Sequence, residues 1–255
     1  MNTPLAIICL IAPILLSGLV ALKVSINQTS LRLLLAFSAA YLFSVSIIHL
    51  LPEAFGHAPG HDGETIVTNV KLTGLFIVLG FCLQLALDTF STGIEHGHVH
   101  LHSKDCHDHL PYGIIIGLML HSFLEGLPIY NLNGDPENSS AINHQLIYGL
   151  VLHNIPISIA FVLLLKEHKT KQTNILLLLI GFSLMTPLGY FFSYSLQSFG
   201  LQNYHQYSQA AFAVVIGIFL HISTAILFET SEHHKYNIAK IAMMISGIVL
   251  AYLIS

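Results

Sequence analysis

His121 and Glu125 stand four residues apart in the stretch PYGIIIGLMLHSFLEGLPIY, residues 111–130. On a helix that spacing puts both side chains on one face. The next apolar stretch, HQLIYGLVLHNIPISIAFVLLLK at 144–166, carries His153 and Asn154 just before Pro156. Imidazole with carboxylate is borderline ligand chemistry that suits Zn²⁺, and also Fe²⁺, Mn²⁺ or Cd²⁺. Calcium and magnesium would want an all-oxygen shell. Glu125 is the acidic residue that lies deep inside an apolar stretch. A charge there is costly unless it is paired, hydrated or bound to a cation. A Glu–His hydrogen bond gluing two helices would also satisfy it, but three such groups at one depth favour a cation site. His121, Glu125 and His153 are good ligands, with Asn154 and Ser122 as weaker additions. A structural zinc is caged by four tight ligands; an incomplete cage suits an ion that must leave again.

The elements that carry these residues follow from composition. The chain has 255 residues, 54% of them hydrophobic and 9% charged. A soluble chain averages about 25% charged residues, so an all-α polytopic membrane protein is expected. Cys9, Cys82 and Cys106 show no pairing or zinc-binding pattern. The net charge of −4 is small and dispersed, which argues against a nucleic-acid partner. Eight spans are predicted, at about 5–22, 31–51, 72–90, 111–130, 144–166, 174–195, 207–228 and 236–254. The N-terminus lacks a basic region of the signal-peptide kind, so the first span is expected to be permanent.

Orientation is read from Lys and Arg. The loops after spans one, three, five and seven, with their flanks, hold Lys23, Arg32, Lys104, Lys166, Lys169, Lys171, Lys235 and Lys240; the other side holds Lys71. Both termini are therefore expected outside, and those four loops in the cytoplasm. His121 then lies about ten residues into span four and His153 about nine into span five. At about 1.5 Å per residue both sit near the midplane, within mutual reach if the helices pack antiparallel. Pro128 and Pro156 cannot bond the carbonyls of Leu124 and Leu152, which makes each carbonyl a candidate ligand or water anchor beside an ordinary packing kink.

Further chemistry lies at the span ends. The loop at 91–110 holds His96, His98, His100, His102, His107 and His109, a histidine run of the kind that binds transition metals loosely. His49 and Glu53 form a candidate entrance at the outer end of span two. His221, Glu229, His233 and His234 form a candidate exit at the inner end of span seven. Asp88, near the inner end of span three, is expected to snorkel to water.

These residues resemble the ZIP (Zrt-/Irt-like) family of divalent-metal transporters. The resemblance covers the layout of eight spans and the His-rich loop between spans three and four. It is sharper at His49-Leu50-Leu51-Pro52-Glu53-Ala54, which looks like the family's HLLPEA, and at His121-Ser122-Phe123-Leu124-Glu125-Gly126, which looks like its HNxPEG. His153-Asn154-Ile155-Pro156 is similar to the start of the related motif in span five. The resemblance implies a single transmembrane domain over residues 1–255, in a 3+2+3 arrangement of helices with an inverted repeat. It also implies a binuclear centre between spans four and five, and metal movement into the cytoplasm. The sequence departs from the pattern at Ser122, Leu124, Ile157 and Ser158. Ile157 stands where a bridging Glu is often found, so one metal position is expected rather than two.

The expected function is transport of divalent transition metals, zinc first, with Fe²⁺, Mn²⁺ and Cd²⁺ as alternatives, rather than catalysis. Partners are the metal ions and the lipid bilayer, with a homodimer open. The location expected is the plasma or inner membrane. Two other readings stay open. One is a membrane metallohydrolase with Glu125 as base, in which the histidine loop has no task. The other is a metal exporter using the same site.

Overall fold

The computed structural model describes residues 3–55, 69–91, 111–129, 144–199, 204–228 and 238–254. They form helices, with no strand among the described residues. In chain order these are α1 (Thr3–Lys23), α2 (Gln28–Phe55), α3 (Val70–Ser91), α4 (Tyr112–Gly126), α5 (His144–Glu167), α6 (Gln172–Ser198), α7 (Tyr204–Phe228) and α8 (Ile238–Leu253). The first seven are long and apolar enough to cross a bilayer; α8, at 16 residues, is the shorter apolar helix. Together they make an eight-helix membrane bundle. The expected spans are recovered, with α2 running on to Phe55 and α6 to Ser198.

Local chemistry sets several helix ends. The Asn27 side chain accepts the Ser30 N–H at 2.7 Å and starts α2, and Asn69 does the same for Leu72 at the start of α3. Lys166 places its ammonium on the Ala21 and Leu22 carbonyls, at 3.2 and 3.4 Å, and so caps the C-terminal end of α1 from α5.

Prolines act in two ways. In α2, the Leu51 N–H reaches back to the Ser46 carbonyl, making a wide π turn over Ser46–Leu50 just ahead of Pro52. Beyond α4, a 3-10 turn at Leu127–Ile129 contains Pro128. There the Leu127 N–H bonds to the Leu124 carbonyl. The Leu124 carbonyl, expected to be freed by Pro128, is thus satisfied by the tighter turn and is not left over as a ligand. Pro156 lies within unbroken α5.

The most extensive packing joins α3 to α7, α2 to α8, α1 to α5 and α4 to α6. Exchanging α1 with α6, α2 with α7, α3 with α8 and α4 with α5 maps these pairs onto one another. In a chain that crosses at every span, each exchanged pair runs in opposite senses, which is the packing of an inverted repeat. Three of the contacts are backbone to backbone, among them that of α2 with α8, where a Cβ on Gly247 would meet the Phe37 carbonyl. A Cβ on Gly80 would run into the Val214 carbonyl and one on Gly217 into the Ile77 carbonyl, so α3 and α7 touch directly. Gly126 and Gly189 do the same for α4 and α6, against the Thr186 and Phe123 carbonyls. Small residues at such crossings let membrane helices gain dispersion and Cα–H contacts that larger side chains would prevent.

Candidate metal centre

Helix α4 delivers His121 and Glu125 one turn apart, and α5 brings His153 to the same oxygen. His121 Nε2 lies 3.0 Å from Glu125 Oε1, and His153 Nε2 lies 3.9 Å from it. The two imidazoles meet nearly edge to face, with ring centres 6.1 Å apart and an interplanar angle of 81°. All three side chains are fully buried. One donor atom from each falls within 4.8 Å of the others, the one such cluster of His, Cys, Asp or Glu among the described residues.

The spacing suits a small cation. Ligands about 2.0–2.2 Å from a tetrahedral zinc are about 3.3–3.6 Å from one another. The separations of 3.0 and 3.9 Å bracket that range. Three fully buried polar groups also carry a large desolvation cost that a bound cation offsets.

Ser122 and Asn154 are as deeply buried as the triad. The Ser122 hydroxyl and the Asn154 carbonyl oxygen have no hydrogen-bond partner among the described residues, and Asn154 adjoins the Glu125 carboxylate. Both stand as candidate supplementary oxygens. Ile157, one turn beyond His153, is fully buried and offers no ligand atom.

The candidate entrance and exit residues lie apart from this cluster. His49 sits in the π turn, half-buried, with its Nε2 enclosed and without a hydrogen-bond partner among the described residues; Glu53 is exposed. His221 is buried on α7, against the edge of Phe81, with Nδ1 3.3 Å from Asp88 Oδ2. Asp88, partly exposed, meets His221 and also Gln84, whose amide donates to Asp88 Oδ1 at 3.0 Å. Glu229, His233 and His234 lie outside the described residues, as do the six histidines between His96 and His109.

Sequence reasoning missed Gln84. It is fully buried, and its Oε1 lies 3.2 Å from His121 Nδ1. The signal was present: an amide in the middle of an apolar helix, four residues before Asp88, in Gln84-Leu85-Ala86-Leu87-Asp88.

Residues 3–113 and 109–255 match the model of the ZIP zinc transporter family. The chain is a member of the ZIP family. No curated protein matches it. Proteins of the ZIP family are divalent-metal transporters rather than enzymes, and this one is accordingly a multi-pass membrane protein for moving divalent metal ions. Its His/Glu cluster falls on the two helices whose motifs carried the resemblance, α4 and α5, and its HLLPEA motif begins within the π turn of α2 and runs into the α-helical turn after it.

Proposed function

We propose that this ZIP protein carries Zn²⁺ into the cytoplasm through a single midplane position formed by His121, Glu125 and His153. Fe²⁺, Mn²⁺ and Cd²⁺ are the competing substrates. The observation that carries the reading is the convergence of those three buried side chains from α4 and α5 on one point. Glu125 supplies the full negative charge, His121 the second donor one turn away, and His153 closes the shell from the facing helix. Its wider separation from the carboxylate, 3.9 Å, leaves the shell open on one side. Asn154 and Ser122 complete it with weak oxygens, so the ion is held without being caged.

The remaining assignments belong to the same reading. The charge skew supports both termini outside the plasma or inner membrane and residues 91–110 on the cytoplasmic face, and the family match along the chain supports a single transporter domain. There the loop histidines would gather or sense metal, and the region of His221, Glu229, His233 and His234 would form the exit, opposite an entrance at His49 and Glu53.

The test is radiometal uptake by the purified protein in vesicles of defined orientation, comparing zinc, iron, manganese and cadmium. Glu125→Ala, His121→Ala and His153→Ala should each raise the metal concentration needed by at least the roughly 10–100-fold seen for groups one shell further out. Glu125→Ala should be the most severe. Normal uptake by the His121 and Glu125 variants would refute the site.

A further inference from the structure

The proposed metal position does not end at its ligands. A buried polar chain runs from it across three helices. His121 Nδ1 on α4 lies 3.2 Å from Gln84 Oε1 on α3. Gln84 Nε2 lies 3.0 Å from Asp88 Oδ1, one turn along the same helix. Asp88 Oδ2 lies 3.3 Å from His221 Nδ1 on α7.

The direction of this chain is fixed by donor and acceptor identity. An ionised carboxylate only accepts hydrogen bonds. The Gln84 atom facing Asp88 must therefore be the amide nitrogen, since the reverse orientation would set two acceptor oxygens 3.0 Å apart. The Gln84 carbonyl is thereby turned to His121, and a carbonyl also only accepts. So when Nε2 serves as the ligand atom, the one proton of the His121 ring sits on Nδ1, held by Gln84. The lone pair that takes the cation is then on Nε2, the atom that faces Glu125 Oε1. Lone pair and carboxylate are aimed at one spot, an arrangement that a cation satisfies. His221, next to Asp88 and packed on Phe81, keeps the carboxylate in place.

We propose that Gln84 is a positioning residue for metal capture: it holds His121 in the Nδ1–H tautomer, with Asp88 and His221 holding Gln84 in turn. This rests on the reading of His121 as a ligand. It adds that the affinity of a site on α4 and α5 is set from α3. The general pattern is familiar for imidazole ligands, whose second nitrogen donates to an oxygen that sets the tautomer and raises ligand basicity. A buried Gln with a purely space-filling task would not need its amide orientation locked.

Two variants separate these roles. Gln84→Met keeps the length and volume of the side chain and removes the acceptor. The double variant Gln84→Glu with Asp88→Asn moves the carboxylate next to His121 and leaves an amide to donate to it, so the direction is preserved at unchanged total charge. Uptake of ¹⁰⁹Cd²⁺ by the full-length protein in vesicles should show KM raised about 10–100-fold for Gln84→Met, and most of that loss recovered in the double variant. A Gln84→Met protein with wild-type KM, or a double variant as impaired as Gln84→Met, overturns the proposal.

A direct reading needs no variant at position 84. Nitrogen-15 spectra of histidine-labelled wild-type protein, loaded with Cd²⁺, should show His121 protonated at Nδ1, its signals identified by their loss in His121→Ala. Protonation at Nε2 alone overturns the proposal even if Gln84→Met does not fold. Loss of uptake in His121→Ala alongside a wild-type KM in Gln84→Met sinks the role of Gln84 and leaves the site standing. Unchanged uptake in His121→Ala removes both.

Discussion

Ile157→Glu puts a carboxylate one helical turn beyond His153, on the same face of α5. Ile157 is fully buried, so the change has a calculable cost. Removing the buried Ile side chain forfeits about 1.5–3 kcal/mol of hydrophobic stabilisation. A carboxylate left in its place without a partner adds several kcal/mol more. The metal-free variant should therefore melt well below the wild type. With metal, the new carboxylate gains Asn154 and the Glu125 side as neighbours of a second ion. At a free concentration about 100 times Kd, binding returns about 2.7 kcal/mol, which offsets part of the deficit. The expected signature is a thermal stability that depends on Cd²⁺ or Zn²⁺ far more steeply than that of the wild type. Elemental analysis should show one additional ion per chain. The loop histidines are common to both proteins and cancel in that difference. Equal stoichiometry in the two proteins, or a variant melting point indifferent to metal, would refute the idea that Ile157 is what limits the site to one ion.

Other outcomes follow from the same geometry. Histidine and carboxylate ligands must lose their protons to bind metal, so uptake should fall as the outer medium is acidified, most visibly as a rise in KM; an uptake rate independent of pH from 7 to about 5 contradicts ligand competition. A cysteine at Asn2 or Ser255 should react with an impermeant thiol reagent applied outside intact cells and one near Lys169 should not, and the reverse pattern would invert the topology. Deleting His96 to His109 should alter the rate or its regulation while some uptake survives. Complete loss of uptake in a normally inserted protein would place the transport site in that loop.

The parts of this centre that could be read from the chain were those with a short-range rule behind them. His121 and Glu125 are joined by helical spacing alone, and His153 by its depth in the next apolar stretch. The apolar runs gave the eight helices. What lay beyond reach depends on which helices touch. Gln84 meets His121, and Asp88 meets His221, only because α3 packs between α4 and α7. No spacing rule links residue 84 to 121 or residue 88 to 221. The Leu124 carbonyl shows another gap: Pro128 does remove a donor, but a 3-10 turn supplies a different one from Leu127. Local rules identify the missing bond, and the turn chosen in the folded chain decides whether it stays missing.

The glycine contacts have a mechanical consequence. Where Gly126 meets Gly189 and Gly80 meets the Val214 backbone, there are no side chains to slip past one another. Moving α4 along α6, or α3 along α7, would drive carbonyls into Cα atoms. Each couple is therefore stiff, and relative motion concentrates where the couples adjoin, along the α3–α4 boundary. The His121–Gln84 hydrogen bond spans that boundary. Sliding there would detach the imidazole from the group that orients it while leaving Glu125 in place. The affinity of the ion for its site would then change with the position of the helices, without any ligand having to leave.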